Sequence, residues 1–354
     1  MIELEEKLSV LIVDDSALMR KMIGRIIGAT TDLIVGAKAI NGAFALKKLG
    51  AFRPDVIVLD LEMPEMNGIE FLKVRKERNI DVPVVILSSI AKKGAAITME
   101  ALALGASDFI LKPSGIRADE MHEVEAQIVE TLRAYAVQYR GRQGRRIDGA
   151  TGLAPGRHVA ASRIRAVAIG ISTGGPNALR LLFRNIDEKT SVPIFVVQHM
   201  PAGFTAEFAA SLDRISPLGV KEAETGDVAG PGRVFVSPGD RHMTVVQRRL
   251  ANVIELLDDD PVNGHRPSVD ILFESIARVY GPGALAIIMT GMGRDGAHSI
   301  GTIKQAGETT VGQDEESSIV YGMPRVAAEL GHIGIVSSLE AIPPLIGDLL
   351  GVSN

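Results

Sequence analysis

Residues 167–176 read Val-Ala-Ile-Gly-Ile-Ser-Thr-Gly-Gly-Pro, VAIGISTGGP. An apolar run that breaks into a serine, two glycines and a proline is the pattern of a buried parallel strand turning into a helix. Ser172 stands at that turn. Gly170-Ile171-Ser172-Thr173-Gly174 meets the G-x-S-x-G pattern, in which small neighbours permit a strained, exposed hydroxyl. The helix that follows would aim its first amides at a developing oxyanion. Alone, the pattern leaves two readings open, because glycine-rich strand-to-helix turns also cradle phosphates.

Outward from this stretch the same alternation recurs. After Val167, apolar runs fall at Ile194–Val197, Val234–Val236, Met243–Val246, Val253–Leu257 and Leu285–Met289, with helical patterns between several of them. Before it, runs at Val10–Val13, Leu33–Ala39, Val56–Leu59, Val84–Leu87 and Asp108–Leu111 define five strand–helix units between Leu8 and about Val137. Two α/β layer structures are predicted, residues 1–138 and 166–354. Residues 139–165 read as a linker, because Gly, Arg and small residues dominate from Arg140 to Arg165 and neither period holds. Its Arg140, Arg142, Arg145 and Arg146 read more simply as a solvated basic hinge than as a nucleic-acid contact.

Composition agrees with covered parallel sheets. The 354 residues are 46% hydrophobic but only 4% aromatic, with no Trp, so the interior is aliphatic. The absence of Cys excludes disulfides, thiolate metal sites and a cysteine nucleophile. A net charge of −5 and an isoelectric point near 5.9 argue against a nucleic-acid coat. The opening MIELEEKL is no leader, and no apolar run approaches the roughly 18 residues of a bilayer span. A cytoplasmic setting is expected.

In the first half, strands end in Asp14-Asp15, Asp60, Ser88 and Lys112-Pro113. Carboxyl ends of an open parallel sheet form the crevice where ligands bind, so these residues converge. Any single one of them would be read as a helix cap. Together, three clustered carboxylates want a hard divalent cation such as Mg2+, and a metal-bound carboxylate can attack a phosphoryl group. Through VDDS at 13–16, LDLEMPEMNG at 59–68, LSS at 87–89 and LKP at 111–113 the segment resembles the receiver domain of two-component response regulators. The resemblance implies a five-stranded, doubly wound, flavodoxin-like sheet with Asp60 as phosphoacceptor. It further implies Asp15, Asp60 and the Glu62 carbonyl as Mg2+ ligands, Asp14 assisting through water, and Ser88 and Lys112 as the switch pair. Phe109 stands where many receivers carry Tyr, so an aromatic reorientation stays available while a phenolic hydroxyl does not.

In the second half, His199 follows the run Pro193–Gln198, and Asp295 follows Thr290-Gly291-Met292-Gly293-Arg294. A serine hydroxyl needs a neutral imidazole as base, and the imidazole needs a carboxylate to hold its tautomer. Ser172, His199 and Asp295 supply that set. Of the other histidines, His122 and His332 lie in helical or terminal contexts, and His158 lies in the linker. His242, His265 and His298 read as polar surface or supporting positions, with His265 in NGHRPS the strongest rival base. Asp295 by itself reads as the N-cap of a helix over Gly296–Gln305. The run Asp258–Asp260 before Pro261 reads as a solvated turn.

The order Ser, His, Asp differs from the Ser, Asp, His order of α/β-hydrolases, so another hydrolase fold is expected. From Ala166 to Leu350 the chain resembles the catalytic domain of the bacterial chemotaxis protein-glutamate methylesterases, the CheB family. The motifs are IGISTGGP at 169–176, VQHMPAGFT at 197–205, SPGDRHM at 237–243, HRPSVDILFESIA at 265–277, TGMGRDGA at 290–297 and QDEESSIVYGMP at 313–324. The resemblance implies a mostly parallel, doubly wound domain with a short antiparallel portion. It assigns nucleophile to Ser172, base to His199, orienting acid to Asp295, and the oxyanion or substrate cleft to Thr173 and Met292, with no cofactor in this domain. It also implies hydrolysis of glutamate 5-methyl esters and glutamine amides on methyl-accepting chemoreceptors, a chemotaxis histidine kinase as phosphodonor, and an unphosphorylated receiver that covers the esterase cleft. Nothing in the pattern asks for more than a monomer.

Overall fold

Strands 56–60 and 84–88 are buried along their whole length, as strands covered by helices on both faces must be. The computed structural model describes residues 7–89, 92–112, 121–144, 164–307 and 309–352, and the chain divides into two units, Met1–Ala150 and Thr151–Asn354. The first unit runs β1 (Leu8–Val13), α1 (Ala17–Gly28), β2 (Leu33–Ala39), α2 (Gly42–Leu49) and β3 (Val56–Asp60). It continues through α3 (Gly68–Glu77), β4 (Val84–Ser88), α4 (Lys92–Ala103), β5 (Asp108–Leu111) and α5 (Met121–Gly144). All strand pairs are parallel in the order β2-β1-β3-β4-β5, so the sheet reverses direction between β1 and β3. The carboxylates that end these two strands therefore stand side by side at the switch point.

The second unit runs β6 (Ala166–Ile171), α6 (Gly175–Asn185), β7 (Ile194–Gln198), α7 (Thr205–Asp213), β8 (Gly219–Glu222), β9 (Arg233–Val236), β10 (His242–Gln247), β11 (Asn252–Leu257) and α8 (Val269–Tyr280). It closes with β12 (Ala284–Ile288), α9 (Ser299–Gln305), β13 (Thr309–Gln313), α10 (Met323–Glu329), β14 (Ile335–Ser337) and α11 (Ile342–Leu350). Seven strands pair in parallel in the order β14-β13-β12-β6-β7-β9-β8, and β10 and β11 form a separate antiparallel hairpin packed on α8. The switch point is at β6, flanked by β7 on one side and β12 on the other. Ser172, His199 and Asp295 follow these three strands.

Four sequence expectations change. The helix α5 continues to Gly144, past the expected linker start, because Arg140 is bound back to the first unit: its guanidinium donates to both Asp55 oxygens at 3.0 and 2.5 Å and to the Lys7 carbonyl. Arg165, at the far end of that stretch, belongs to the second unit, where its amide donates to the Gly283 carbonyl and its guanidinium lies over Tyr280. Arg145, Arg146 and His158 lie outside the described residues. Secondly, β8, β13 and β14 escape the apolar-run reading: β8 is a mixed edge strand, β13 carries buried Thr310 and Gln313, and β14 has three residues. Thirdly, the helix after Asp295 starts at Ser299 with His298 as its cap, so Asp295 does not cap it. Finally, of its two expected settings His242 takes the supporting one and not the surface: it is wholly buried, accepting at Nδ1 from the Ser268 amide (3.1 Å) and donating from Nε2 to the Asp260 carbonyl (3.1 Å).

Candidate active site

In the first unit, Asp14, Asp15 and Asp60 each place a carboxylate oxygen within 4.8 Å of the others. Asp14 and Asp60 are buried and Asp15 is exposed. Lys112 Nζ sits 2.7 Å from Asp60 and 3.6 Å from Asp14. One oxygen of Asp14 accepts the Ser16 amide at 2.8 Å; the other, Oδ2, is buried and has the Lys112 ammonium at 3.6 Å but no closer donor. Burial, then the Asp60 charge, push the Asp14 carboxyl up to about 6, against the opposing pull of Lys112. For Lys112, burial pulls the ammonium down, but its hydrogen bond and charge contact with Asp60 outweigh this and hold it above its ordinary value. Three carboxylates clustered together, one with a buried oxygen that has only a long ammonium contact, form a set of oxygen donors suited to a hard cation, so the residues fit Mg2+. The Glu62 amide donates to Asp60 Oδ1 at 3.3 Å. Ser88 bonds Thr98 Oγ1 at 2.7 Å, and Phe109 is half-buried on β5.

In the second unit, the turns after β6, β7 and β12 interlock. The Ser172 amide donates to the Thr290 carbonyl (2.9 Å), and the His199 amide donates to the Ile171 carbonyl (3.1 Å). Gln198 Nε2 donates to the carbonyls of both Ser172 (3.0 Å) and His199 (2.9 Å), clipping two turns together. Gly174, at φ +81°, takes the left-handed conformation that lets the chain enter α6 directly after the serine. Gly291 is required by close approach, since a Cβ there would lie 2.7 Å from Ser172 Cβ and 2.4 Å from Met323 Sδ. With Ser172 and Gly291 amides committed to Thr290 and Val320 carbonyls, the Thr173 and Met292 amides donate to no group among the described residues.

Asp295 is almost completely buried, and five donors converge on it. Oδ2 accepts from His199 Nε2 (2.8 Å) and the Val269 amide (2.6 Å); Oδ1 accepts from Ser268 Oγ (2.7 Å), Asn263 Nδ2 (3.1 Å) and the Asp270 amide (3.3 Å). The carboxylate thus serves the N-terminus of α8, not that of the helix following it, and the helix dipole favours its charge. Burial pushes this carboxyl up, but the His199 hydrogen bond and charge, the Ser268 hydroxyl and the Val269 amide outweigh it and hold it far below the usual range. His199 therefore points Nε2 at Asp295, and its Nδ1 is buried without a hydrogen-bond partner. No hydrogen bond joins Ser172 Oγ to the imidazole in this structure. The rival His265 is drawn into the same cluster, its ring stacked on His199 at 3.8 Å between centroids and 16° between planes.

Sequence reading missed Gln198, Asn263 and Ser268. Gln198 had a signal, as a polar residue between a fully apolar strand and His199. Asn263 and Ser268 had only their nearness to His265.

Residues 10–124 match the model of the response regulator receiver domain, and residues 167–346 match that of the CheB methylesterase. A protein-glutamate methylesterase/protein-glutamine glutaminase of Treponema denticola is 52% identical over 95% of this chain and 96% of its own length. A protein of the same name from Pyrococcus horikoshii is 41% identical, covering 96% of this chain and 93% of its own. The crystal structure of the Thermotoga maritima CheB methylesterase catalytic domain superposes with a TM-score of 0.52 at 38% identity, over 52% of this chain and 98% of that one. Fold and site define a receiver joined to an α/β output unit. The chain belongs to the CheB methylesterase family. No helix among the described residues is long and apolar enough to cross a membrane.

Proposed function

We propose that this chain is a receiver-controlled serine hydrolase that removes methyl from glutamate 5-methyl esters, and ammonia from glutamines, on methyl-accepting chemoreceptors. The observation that carries the reading is the arrangement of His199: Asp295 occupies Nε2, which fixes the proton there, and Nδ1 is buried without a hydrogen-bond partner on a residue whose amide bonds the Ile171 carbonyl next to Ser172. Family names and matched domains support the reading of substrate and chemistry.

In this mechanism Ser172 Oγ gives its proton to His199 Nδ1 and bonds to the ester carbonyl carbon. The negative charge moves to the carbonyl oxygen, where the uncommitted Thr173 and Met292 amides and the start of α6 stabilise it. Asp295 stays ionised and stabilises the imidazolium. That cation returns its proton to the departing methoxide, releasing methanol and leaving an acyl-serine. Water then gives a proton to Nδ1, attacks the acyl carbon and frees glutamate, and Oγ recovers its proton. With glutamine the first leaving group is ammonia.

The receiver residues supply control. Asp60 would accept the phosphoryl group, Lys112 would follow its charge, and Ser88 would exchange Thr98 for a phosphoryl oxygen. Asp15, Asp60 and the Glu62 carbonyl, with Asp14 through water, would hold Mg2+, which supplies charge neutralisation for the acidic pocket when bound. A histidine kinase is the donor, and the domains divide at a linker that starts after α5.

Methanol release from methylated chemoreceptor membranes, with and without Mg2+ and acetyl phosphate, tests this. Release should rise with phosphodonor, vanish in Ser172→Ala and lose its phosphodonor response in Asp60→Ala. Release that persists in a folded Ser172→Ala protein overturns the reading.

A further inference from the structure

The segment between β11 and α8 is built as a platform. Val262 and His265 exchange both backbone hydrogen bonds, at 3.0 and 2.9 Å, around Asn263 (φ +53°) and Gly264 (φ +77°). An Asn-Gly pair with both residues left-handed makes a two-residue turn of the tight hairpin kind. Its flanks are tied down. Arg266 donates to Asp240 Oδ1 at 2.9 and 2.6 Å and to the carbonyls of Asp258 and Asp259, both at 3.1 Å. The buried His242 ring bridges Asp260 and Ser268, closing the segment at both ends. Asp258–Asp260 is therefore an anchored turn rather than a merely solvated one.

Two side chains leave this platform toward the His199–Asp295 pair. Asn263 donates to Asp295 and, at 2.6 Å, to Asp270 Oδ2. His265 lays its ring flat on His199. The His265 nitrogens make no hydrogen bond to any described residue, whereas Asp295, the acid that would orient a base, is bonded to His199. What His265 offers is its face. A planar group at 3.8 Å opposes rotation of the neighbouring ring out of its plane. Rotation is the motion that would break the Nε2 bond to the carboxylate and turn Nδ1 away from where it would serve Ser172. His265 is also kept uncharged, since burial and the nearby His199 push it down to about 4, so it adds no second cation when His199 is protonated.

We propose that His265 is a positioning residue for the esterase reaction: its ring, carried by the Asn263–Gly264 turn, fixes the plane of His199 so that Nδ1 faces Ser172 while Nε2 holds Asp295. The inference rests on the reading of His199 as the base. It turns the histidine that rivals His199 in sequence into the support of that base.

Steady-state methanol release by the full chain, phosphodonor present, is compared among His265→Phe, His265→Leu and the parent protein, with Ser172→Ala and His199→Ala beside them. A planar ring without nitrogens should suffice, so His265→Phe keeps at least about a third of kcat. His265→Leu, similar in bulk but not flat, should lose about tenfold to a hundredfold in kcat, with KM within about twofold, because a misplaced base costs rate rather than binding. Thermal melting of both variants should stay within a few degrees of the parent's. Loss in Phe as deep as in Leu would assign the ring nitrogens a role and overturn the proposal, and so would full activity in Leu. Activity surviving in His199→Ala or Ser172→Ala would break the underlying reading instead, which keeps the two failures apart.

Discussion

Asp14 and Asp295 are both buried carboxylates at the carboxyl edge of a parallel sheet, and their surroundings treat them in opposite ways. Asp295 accepts five hydrogen bonds and is held far below its ordinary range; Asp14 accepts one, leaves Oδ2 with only the Lys112 ammonium at 3.6 Å and is pushed up to about 6. A buried charge is tolerated only when it is paired or hydrogen-bonded, and the two sites meet that demand differently: Asp295 through convergent donors, Asp14 chiefly through the Lys112 ammonium. In the proposed mechanism that difference separates a carboxylate that stays ionised throughout the reaction from one whose pocket would take up a cation. It also explains why one carboxylate faces a histidine and a helix N-terminus, while the other faces two more carboxylates and one lysine.

The most damaging way to break the comparison is Asp295→Asn. The amide nitrogen would confront at least one of the donors now aimed at the carboxylate, and the proton of His199 would no longer be confined to Nε2. We expect kcat for methanol release to fall roughly ten-thousandfold, the size of effect that loss of an orienting carboxylate has on serine hydrolysis. Circular dichroism and melting on the same protein separate lost chemistry from lost fold. A fall of less than about tenfold in a folded variant would mean that Asp295 serves the start of α8 rather than His199.

The fate of Asp295 in sequence reading shows where legibility stops. Its place after an apolar strand was visible, because strand ends converge in a parallel sheet wherever the chain goes next. The same rule brought out Asp14, Asp15, Asp60, Ser172 and His199 from runs of Val, Ile and Leu. Which helix the carboxylate serves was not visible, since the amides of Val269 and Asp270 reach it only through packing of α8 against β6 and α9. The burial of His242 was hidden for the same reason: its two backbone partners are brought to it by the fold, 18 and 26 residues away in sequence. Strand β13 hid behind its own polarity, with Gln313 buried to accept the Thr290 amide. The extra turn of α5 was masked by Gly141 and several arginines, whose cost Arg140 offsets through Asp55.

A second, smaller effect sharpens the contrast through pH. In the metal-free chain the raised carboxyl of Asp14 binds a proton more tightly folded than unfolded. Its stabilising contribution is full below its unfolded value of 3.8 and is lost as pH rises through about 6. Asp295 behaves in reverse: its contribution is present above 3.8 and is lost only as pH falls below that value. Across this interval, amide protection factors of the full chain in a chelator, with the intrinsic pH dependence of exchange divided out, should fall in β1 and β3, with no such trend in β6 and β12. Millimolar Mg2+ should flatten the first trend, and Asp14→Asn should abolish it. A trend that survives Asp14→Asn would place its source elsewhere in the receiver.

The smallest effect tests whether the donors around Asp295 are redundant. Asn263 supplies one hydrogen bond of the five, and it is the longest but one, so its removal leaves the carboxylate paired on both oxygens. A single neutral donor to a charged group contributes about 1–2 kcal/mol, yet part of this should be recovered as the remaining donors tighten. Asn263→Ala should therefore lower kcat by about threefold to tenfold and leave KM unchanged, in initial-rate assays on receptor membranes. Because Asn263 also bonds Asp270, the double variant Asn263→Ala with Asp270→Asn separates the two contacts: a loss no greater than in the Asp270→Asn protein would trace the effect to the Asp270 contact. A loss approaching that of Asp295→Asn would mean that the carboxylate depends on one donor and is far less self-sufficient than its five contacts imply.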